Sequence, residues 1–342
     1  MRLIYAGLLA LYALLSSGHE ILSIPTWAPV SADSPPLNNA GYRVETFGGG
    51  AYMVTDNQYN SLFFVSTYGV IVVDAPPTIG HNIAYAIGNV TDKPVTHFIY
   101  SHSHSDHVGG AYLFQNVTRI AHTYTKGLLA AVPTSNQPLP EITFMDKYTL
   151  HNGNQTLKLS YKGPNHEPGN IFIYAPRQKV LMLVDVVFPG WAPFAYLALA
   201  EDIPGFIHAH DQILEYKFDH FVGGHLTRSG DRADVLAQRD YIADLKTNCA
   251  NAIILSAQPP NASNPISAQE MVPAALQANP GNPWAAFKVY LDNVADYCNN
   301  VTNQKWVGRL SGVDVWGPEN AFAMVESLRL DFDVLGPFDV TK

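Results

Sequence analysis

HSHSDH, at residues 102–107, brings three histidines and one aspartate together within six positions. The apolar, β-rich run Val95–Tyr100 before it predicts a buried strand. The pair Gly109-Gly110 and the apolar run after it predict a turn that enters a helix. The segment should therefore form a loop at a strand end, where its side chains can converge on one point. Because imidazole nitrogen and carboxylate oxygen suit Zn²⁺ and similar cations, we predict a metal site here.

Three further ligand-type residues follow, each after an apolar run or between Gly and Pro turn residues. They are His166 within Gly163–Asn170, Asp185 after Val180–Val184, and His225 after Phe221–Gly224. A single histidine is more often structural than a ligand, but the HxHxDH spacing reverses that expectation. With these four motifs in this order, the chain resembles the metallo-β-lactamase superfamily over roughly residues 40–230.

Strand patterns interleaved with helix patterns argue for a layered α/β domain. The resemblance specifies an α/β fold of the αββα metallo-β-lactamase sandwich type, with the site along one edge of its two sheets and a C-terminal helical extension. Four parts are expected: a signal peptide at 1–18, an irregular arm at 19–40, the hydrolase domain at 41–246, and an extension at 247–342 packed on the domain. Within the extension, residues 257–283 predict a loop, Trp284–Asn299 and Ala321–Leu328 predict helices, and Leu330–Leu335 predicts a closing strand or tail.

The resemblance also assigns roles to the site residues. His102, His104 and His166 would hold a first metal, Asp106, His107 and His225 a second, and Asp185 would bridge them. Two Zn²⁺ ions per chain are expected, with other divalent metals kept open. A hydroxide between the ions would attack the substrate, since a metal lowers the pKa of bound water from 15.7 to about 7. Three residues are predicted to be catalytic: Asp106 as proton acceptor, Asp185 as bridge, and Tyr196 as hydrogen-bond donor to the developing oxyanion.

Differences between this chain and the known branches of the resembled superfamily narrow the predicted class of substrate. Asp185 excludes the β-lactamase subclass with Cys at the bridging position and argues against the subclass with Ser there, and a bridging Asp resembles the lactonase and glyoxalase II branches. Only Lys217 is basic between Leu181 and Thr227, which counts against an anionic glutathione thioester. Phe188 stands where bacterial signalling-lactone hydrolases carry Tyr, so their particular substrate is not implied. The run Phe188–Tyr196 would either line a pocket for a neutral, apolar small molecule or serve as a packing loop.

The main hypothesis is thus a secreted dinuclear hydrolase that opens a lactone, ester or amide-type carbonyl. The alternatives are a thioester or β-lactam hydrolase, and an iron-dependent redox protein on the same fold. A binding protein that has lost activity is disfavoured because no ligand is missing. His208 and His210, beside Asp211, form a second HxH pattern, but no ligand cluster follows, so a solvated surface is predicted there.

The net charge of −9, from 20 Lys and Arg against 29 Asp and Glu, disfavours a nucleic-acid partner. Met1-Arg2, the short apolar run Leu3–Leu15 and the small residues after it predict a secretory signal peptide. A membrane anchor is the alternative, and no stable anchor is expected once the peptide is cleaved. The sequence does not predict the oligomeric state.

Two further features fit a secreted eukaryotic protein, and the resemblance leaves a fungal-type member of the superfamily open. Asn-x-Ser/Thr sequons begin at Asn89, Asn116, Asn154, Asn261 and Asn300. The two cysteines, Cys249 and Cys298, would pair in an oxidising compartment or remain buried free thiols. Neither lies near a metal motif, so cysteine is not expected to bind the metal.

Overall fold

A computed structural model describes Ala28 and residues 34–339 of the chain. The predicted signal peptide and most of the predicted N-terminal arm lie outside these residues. The described end of the arm, residues 34–40, is coil and turn. Among the helices of the described part, none is both long and apolar enough to cross a membrane.

Within the described residues, twelve strands form two sheets. The first sheet has seven strands in sequential order: β1 (Arg43–Gly48), β2 (Ala51–Thr55), β3 (Asn60–Val65), β4 (Val70–Val73), β5 (Val95–Ile99), β6 (Thr118–His122) and β7 (Ile142–Phe144). The second has five strands in the order β12-β11-β10-β9-β8: β8 (Lys147–Asn152), β9 (Gln155–Ser160), β10 (Phe172–Ala175), β11 (Val180–Met182) and β12 (His220–Val222).

Strand direction decides where the ligand loops lie. Strands β4, β5, β6 and β7 run parallel, and β11 pairs in parallel with β12. In the second sheet Met182 is the partner of Val222, so the loops that follow β11 and β12 leave the sheet side by side. Asp185 and His225 are therefore brought to one edge by the register of two short strands that are buried on both faces.

Eight right-handed α-helices flank the sheets in the described residues, besides the left-handed turn Ala195–Leu199 and the short 3₁₀ helices Ala111–Leu113 and Gly336–Phe338. They are α1 (Asn82–Gly88), α2 (Ser105–Val108), α3 (Thr123–Ala131), α4 (Ile203–Leu214), α5 (Arg232–Ser256), α6 (Ala268–Ala278), α7 (Pro283–Trp306) and α8 (Val313–Asp331). Helix α5 starts with a capping box, in which Asp231 accepts hydrogen bonds from Ala233 N and Asp234 N, and the Asp234 side chain accepts from Asp231 N.

The buried apolar side chains form three layers. One lies between the two sheets and includes Leu62, Leu157 and Met182. A second covers the outer face of the seven-stranded sheet, and a third covers the outer face of the five-stranded sheet with helices α4 to α8. This arrangement confirms the predicted αββα sandwich with C-terminal helices.

The C-terminal region departs from the sequence prediction in its details. Helix α5 runs without a break across the predicted boundary at Lys246. Helix α6 lies within residues 257–283, where a loop was predicted; its Met271 and Val272 pack on the core, and this tertiary contact outweighs the turn-prone composition. Helix α8 accommodates Pro318 and ends at Asp331. Of the two alternatives for Leu330–Leu335, the strand is therefore wrong, and residues 332–335 form a tail without helix or strand.

Cys249 of α5 and Cys298 of α7 form a disulfide, with Cα atoms 4.8 Å apart. Both residues are fully buried. The bond joins two long helices of the layer that covers the five-stranded sheet, and the alternative of two free thiols is excluded.

Candidate metal centre

Four loops at one edge of the two sheets carry the predicted ligands. His102 and His104 follow β5, and Asp106 and His107 lie in the single turn of α2. His166 precedes β10, Asp185 follows β11, and His225 follows β12. Asp185 has a left-handed backbone, with φ of 61°, and its amide donates to the carbonyl of Gly223. A strained conformation of this kind is typical of functional sites, where the surrounding structure holds it in place.

The first ligand group consists of His102, His104, His166 and Asp185. His166 Nε2 lies 3.0 Å from His104 Nδ1 and 3.3 Å from Asp185 Oδ2, and His102 Nε2 lies 3.6 Å from the same oxygen. A tetrahedral ion bound at about 2.1 Å holds its ligand atoms about 3.4 Å apart. The group therefore has the dimensions of a metal site.

The second group consists of Asp106, His107 and His225. His107 Nε2 lies 3.1 Å from His225 Nε2 and 3.6 Å from Asp106 Oδ2. Asp185 reaches this group as well, since its Oδ1 is 3.1 Å from His225 Nε2 and its Oδ2 is 3.2 Å from His107 Nε2. The Asp185 carboxylate thus contacts both groups, which is the position predicted for a bridging ligand.

The His102 ring and the loops themselves are held by hydrogen bonds. Ser101 Oγ lies 2.8 Å from His102 Nδ1, which leaves His102 Nε2 to face the site. The Glu167 carboxylate accepts hydrogen bonds from both the amide and the hydroxyl of Ser103, and so joins the His166 loop to residues 102–107. Asn170 Nδ2 donates to the carbonyl of Val184 and fixes the same loop to the end of β11.

The electrostatics of the site favour a bound cation. Burial alone would raise the pKa of the Asp185 carboxyl, but His107 and His166 outweigh it and hold that pKa well below its ordinary range. Burial lowers the pKa of His102 well below its usual value, so this imidazole stays neutral. Its buried Nε2 atom has no hydrogen-bond partner among the described residues. A neutral nitrogen of this kind, beside an ionised carboxylate, fits a transition-metal ion.

A cavity of about 650 Å³ opens above these ligands. Its floor contains His104, Asp106, His166, Asp185 and His225. Its walls are mostly apolar and are formed by Tyr59, Phe188, Trp191, Ala192, Phe194, Leu199, Leu226, Val315 and Trp316. Among the described residues that line it there is no Lys or Arg. The run after Asp185 therefore does line a pocket, as one of its two interpretations predicted.

Tyr196 is not part of this cavity. It lies in a left-handed turn, Ala195–Leu199, and borders a separate surface depression together with Glu201 and Leu330. From this turn, the side chain of Leu199 lines the cavity, and that of Tyr196 does not. Because Tyr196 does not line the cavity, its predicted oxyanion role is wrong. The sequence could not reveal this, since no sequence pattern predicts a run of positive φ angles at residues other than Gly.

Tyr59 is one of two aromatic side chains of the cavity lining that the sequence did not predict, and Trp316 is the other. Its ring centroid lies 4.5 Å from that of His225 and 5.4 Å from that of His107. Burial, together with the charge of Asp106 and a hydrogen bond to it, raises the pKa of Tyr59 to about 12. The phenol is thus protonated and donates to Asp106. Nothing marked it in the sequence, since it lies far from the metal motifs in the chain.

His208 and His210 belong to no ligand group, as expected, but the predicted solvated surface is only half right. His208 is exposed, whereas His210 is fully buried. His210 Nδ1 donates to the carbonyl of Phe206, and its Nε2 lies 2.9 Å from the Gln238 amide. That amide also donates to Val186 O and accepts from Phe188 N, so His210 supports the segment that follows Asp185.

Comparisons with known proteins agree with this geometry. The family model described as the Metallo-beta-lactamase superfamily matches residues 54–248, more than half of the chain. A metallo-beta-lactamase from Pontibacter korlensis, at 21% identity, shares the fold with a TM-score of 0.52, covering 58% of this chain and 97% of its own. The alpha subunit of 2,4-dinitroanisole O-demethylase from Nocardioides sp. (strain JS1661) is 27% identical over 213 residues, which are 59% of this chain and 61% of that relative. The chain thus spans about three fifths of the length of this curated relative. It belongs to the metallo-beta-lactamase superfamily.

Proposed function

We propose that this protein is a metal-dependent hydrolase which opens a lactone, ester or amide-type carbonyl in a small, neutral, apolar molecule. The observation that carries the proposal is the convergence of seven ligand-type side chains, five of which form the floor of an apolar cavity. Apolar walls above a polar floor are typical of sites that bind neutral small molecules.

Two divalent cations fit the donor set. His102, His104 and His166 would hold one, Asp106, His107 and His225 the other, and Asp185 both. The mixture of imidazole and carboxylate donors favours zinc, and iron is the alternative. When bound, such ions supply a nucleophile at neutral pH and stabilise negative charge on the substrate oxygen.

The protein residues add positioning and proton transfer. The Asp106 side chain is 46% exposed and borders the cavity, so it can accept the proton of the attacking water. Tyr59 donates a hydrogen bond to this carboxylate and fixes its orientation. Phe188, Phe194 and Trp316 present apolar surface to the space above the ligands, and a less polar environment strengthens the electrostatic interactions beside it.

A second candidate reaction is the hydrolysis of an activated aryl ether. It is favoured by the name of the O-demethylase relative and by the aromatic cavity walls. Water would attack the ring carbon that bears the methoxy group, the bond from that carbon to oxygen would break, and methanol would leave after taking up a proton. The same water-activating site serves both reactions, so one substrate panel can distinguish them.

We further propose that the protein is secreted. The disulfide and the exposure of all five sequon asparagines support this route. Expression in a eukaryotic host should release into the medium a glycosylated protein that is shortened at its N-terminus. Peptide mass mapping that finds Met1 retained and the five asparagines unmodified would refute secretion.

The function is tested on purified, full-length protein. Elemental analysis after incubation with zinc should find close to two ions per chain, and a panel of lactones, aryl esters, amides, thioesters, β-lactams and nitro-substituted anisoles should contain a substrate.

His104→Ala should lose metal and turnover, while His208→Ala, at an exposed position away from the site, should keep both. A visible absorption band or paramagnetic signal in the native protein would favour iron. Wild-type protein that binds no transition metal would overturn the proposal.

A further inference from the structure

One wall of the cavity comes from a helix outside the family match. Val315 and Trp316, in the first turn of α8, line the cavity above the metal ligands. The family model ends at residue 248, whereas α8 begins at Val313. The cavity therefore combines a metal floor from the family domain with a wall that this chain's C-terminal region supplies.

That wall is aromatic and continuous. The ring centroid of Trp316 lies 6.4 Å from that of Phe194, which lies 6.1 Å from that of Phe188. Phe188 in turn lies 5.9 Å from the His225 imidazole, with the two planes 29° apart. Together with Trp191, which also lines the cavity, these rings form what we call the aromatic wall: Phe188, Trp191, Phe194 and Trp316. It runs from α8 down to a predicted metal ligand.

Helix α8 also fixes the turn beside the aromatic wall. Tyr196, Leu197, Ala198 and Leu199 have φ angles of 54° to 59°. A left-handed conformation costs about 1–2 kcal/mol per residue for an L-amino acid, so four in succession need external support. Asn320 of α8 provides it: its Oδ1 accepts from Leu197 N at 2.7 Å, and its Nδ2 donates to Pro193 O at 2.7 Å. Both atoms of the Asn320 amide thus hold the backbone on the two sides of Phe194.

We propose that α8 is the specificity element of the site, and that the cavity selects a substrate in which the reacting bond is attached to a planar, uncharged aromatic ring. Trp316 and Phe194 contact the ring, and Asn320 is a positioning residue that keeps Phe194 and Leu199 in place. The inference rests on the proposed function, because it takes the occupant of the cavity to be the substrate. The physical reason is that rings pack favourably in edge-to-face and offset contacts, while no Lys or Arg in the described lining would pair with an anion.

The binding test uses a pair of inert ketones that differ only in the ring. Acetophenone and cyclohexyl methyl ketone have the same skeleton, are uncharged and cannot be hydrolysed, and the saturated ring is at least as apolar as the aromatic one. We expect metal-loaded wild-type protein to bind acetophenone about three- to tenfold more tightly in a calorimetric or ligand-observed NMR titration, the ratio that one aromatic pair supplies. Equal binding of the two ketones would overturn the inference.

Variants of Trp316 test whether α8 causes the preference for the aromatic ketone. Trp316→Leu should bring the binding ratio close to one, and Trp316→Phe, which keeps a ring, should retain most of it. Trp284→Leu is the matched control, because this tryptophan is 76% exposed and lies on α7 outside the cavity lining. A ratio that is unchanged in Trp316→Leu would show that α8 does not select the ring.

Asn320→Ala tests positioning separately from folding. It should lower the binding ratio while the metal content stays near that of wild type, and Asn320→Asp, which keeps the acceptor for Leu197 N, should recover part of the ratio. A loss of thermal stability with an unchanged ratio would show a merely structural role and contradict the positioning assignment.

The same samples separate this inference from the proposed function. If the protein binds metal and hydrolyses aliphatic and aromatic substrates equally well, with no ring preference in binding, the specificity inference fails and the function stands. If it prefers the aromatic ketone but hydrolyses nothing in the panel, the proposed function fails and the aromatic selectivity of the cavity stands.

Discussion

The imidazoles of His107 and His225 face each other with their Nε2 atoms 3.1 Å apart. Two imidazole nitrogens can approach in this way if one carries a proton that it donates to the other, or if a cation lies between their two lone pairs. Burial would lower the pKa of His107, but Asp185 outweighs it and raises that pKa to about 9, so without a cation His107 carries the proton. Both nitrogen atoms are also within 3.2 Å of the Asp185 carboxylate. This carboxylate can accept a hydrogen bond from a protonated imidazole or bind the same cation as the two nitrogens. The pair therefore gives a direct way to test the metal assignment.

Metal binding should stabilise the fold, because the ligands come from four separate loops that the unfolded chain does not bring together. A ligand present at 1,000 times its dissociation constant adds about 4 kcal/mol to the free energy of unfolding. We expect chelator-treated protein to gain stability of this order when zinc is restored, as measured by urea unfolding. His225→Ala should gain less, and His208→Ala should gain as much as wild type. Equal gains in wild type and His225→Ala would show that zinc does not bind at this pair.

Asp185→Asn tests the bridging position. The amide keeps the size of the side chain but removes the charge, so it is a poor bridge between two cations. We expect a folded protein with about one metal ion per chain and activity at least about 10²-fold lower, since a misplaced nucleophile costs about that much. The first site retains three imidazoles, so the loss should fall on the second. Elemental analysis that still finds two ions, together with near-normal turnover, would contradict the bridging role.

The buried side chain of His210 should lower the free energy of unfolding in mild acid. Burial, partly offset by hydrogen bonds to the carbonyls of Phe206 and Ile207, lowers the pKa of His210 from 6.5 to about 4. The unfolded chain then binds more protons than the folded chain between these two pH values. Stability should therefore fall as the pH decreases from about 6.5 towards 4, by up to about 1.4 kcal/mol per pH unit.

The measurement compares urea unfolding at pH 7 and pH 5. Wild type should lose about 2 kcal/mol more than His210→Gln, which keeps hydrogen-bonding groups but does not titrate. His208→Gln is the matched control, because it makes the same substitution at an exposed position of the same helix. The same loss in wild type and in His210→Gln would exclude His210 as its source.

The candidate metal ligands on the cavity floor could be predicted from the sequence, because each of them lies in a short, local sequence pattern. HSHSDH, Asp185 and His225 each follow a strand, and His166 precedes the antiparallel strand β10, so all four lie at the same edge of the sheets. The cavity wall could not be predicted in the same way. Trp316 lies about 90 residues beyond His225, on a helix whose start was obscured by Pro318, and only tertiary packing brings it to the site.

Tyr196 shows a different limit of sequence reasoning. Its position in an aromatic run close to Asp185 suggested an oxyanion donor, but the left-handed turn held by Asn320 points it away. That turn depends on a hydrogen bond between residues more than 120 positions apart, which no local pattern encodes. Helix α6 has the same explanation, because its contacts with the C-terminal core outweigh its local composition.

The disulfide should stabilise the C-terminal helices. It closes a segment in which the two cysteines are 49 positions apart, and a loop of that length predicts about 4 kcal/mol of stabilisation by restriction of the unfolded chain. Cys249→Ala/Cys298→Ala should therefore lower the free energy of unfolding by about 2–4 kcal/mol in urea. The metal content should stay the same, because neither cysteine belongs to a ligand group. Urea midpoints that are equal in the two proteins would show that the bond adds no stability.

Tyr59→Phe should show whether Tyr59 acts by orienting Asp106 or by supporting metal binding. The phenol donates a hydrogen bond to Asp106, and its ring packs on His107 and His225. Phenylalanine keeps the ring contacts and removes only the donor, so the metal content and thermal stability should stay close to wild type. The turnover number should fall by about tenfold, because one net hydrogen bond to a charged group contributes about 1.5 kcal/mol. Tyr85→Phe, at a tyrosine that is 63% exposed on α1 and outside the cavity lining, is the matched control and should have no effect. Turnover that is unchanged in Tyr59→Phe would show that Asp106 is oriented without the phenol, whereas a loss of metal in the same variant would place Tyr59 in the support of the ligands themselves.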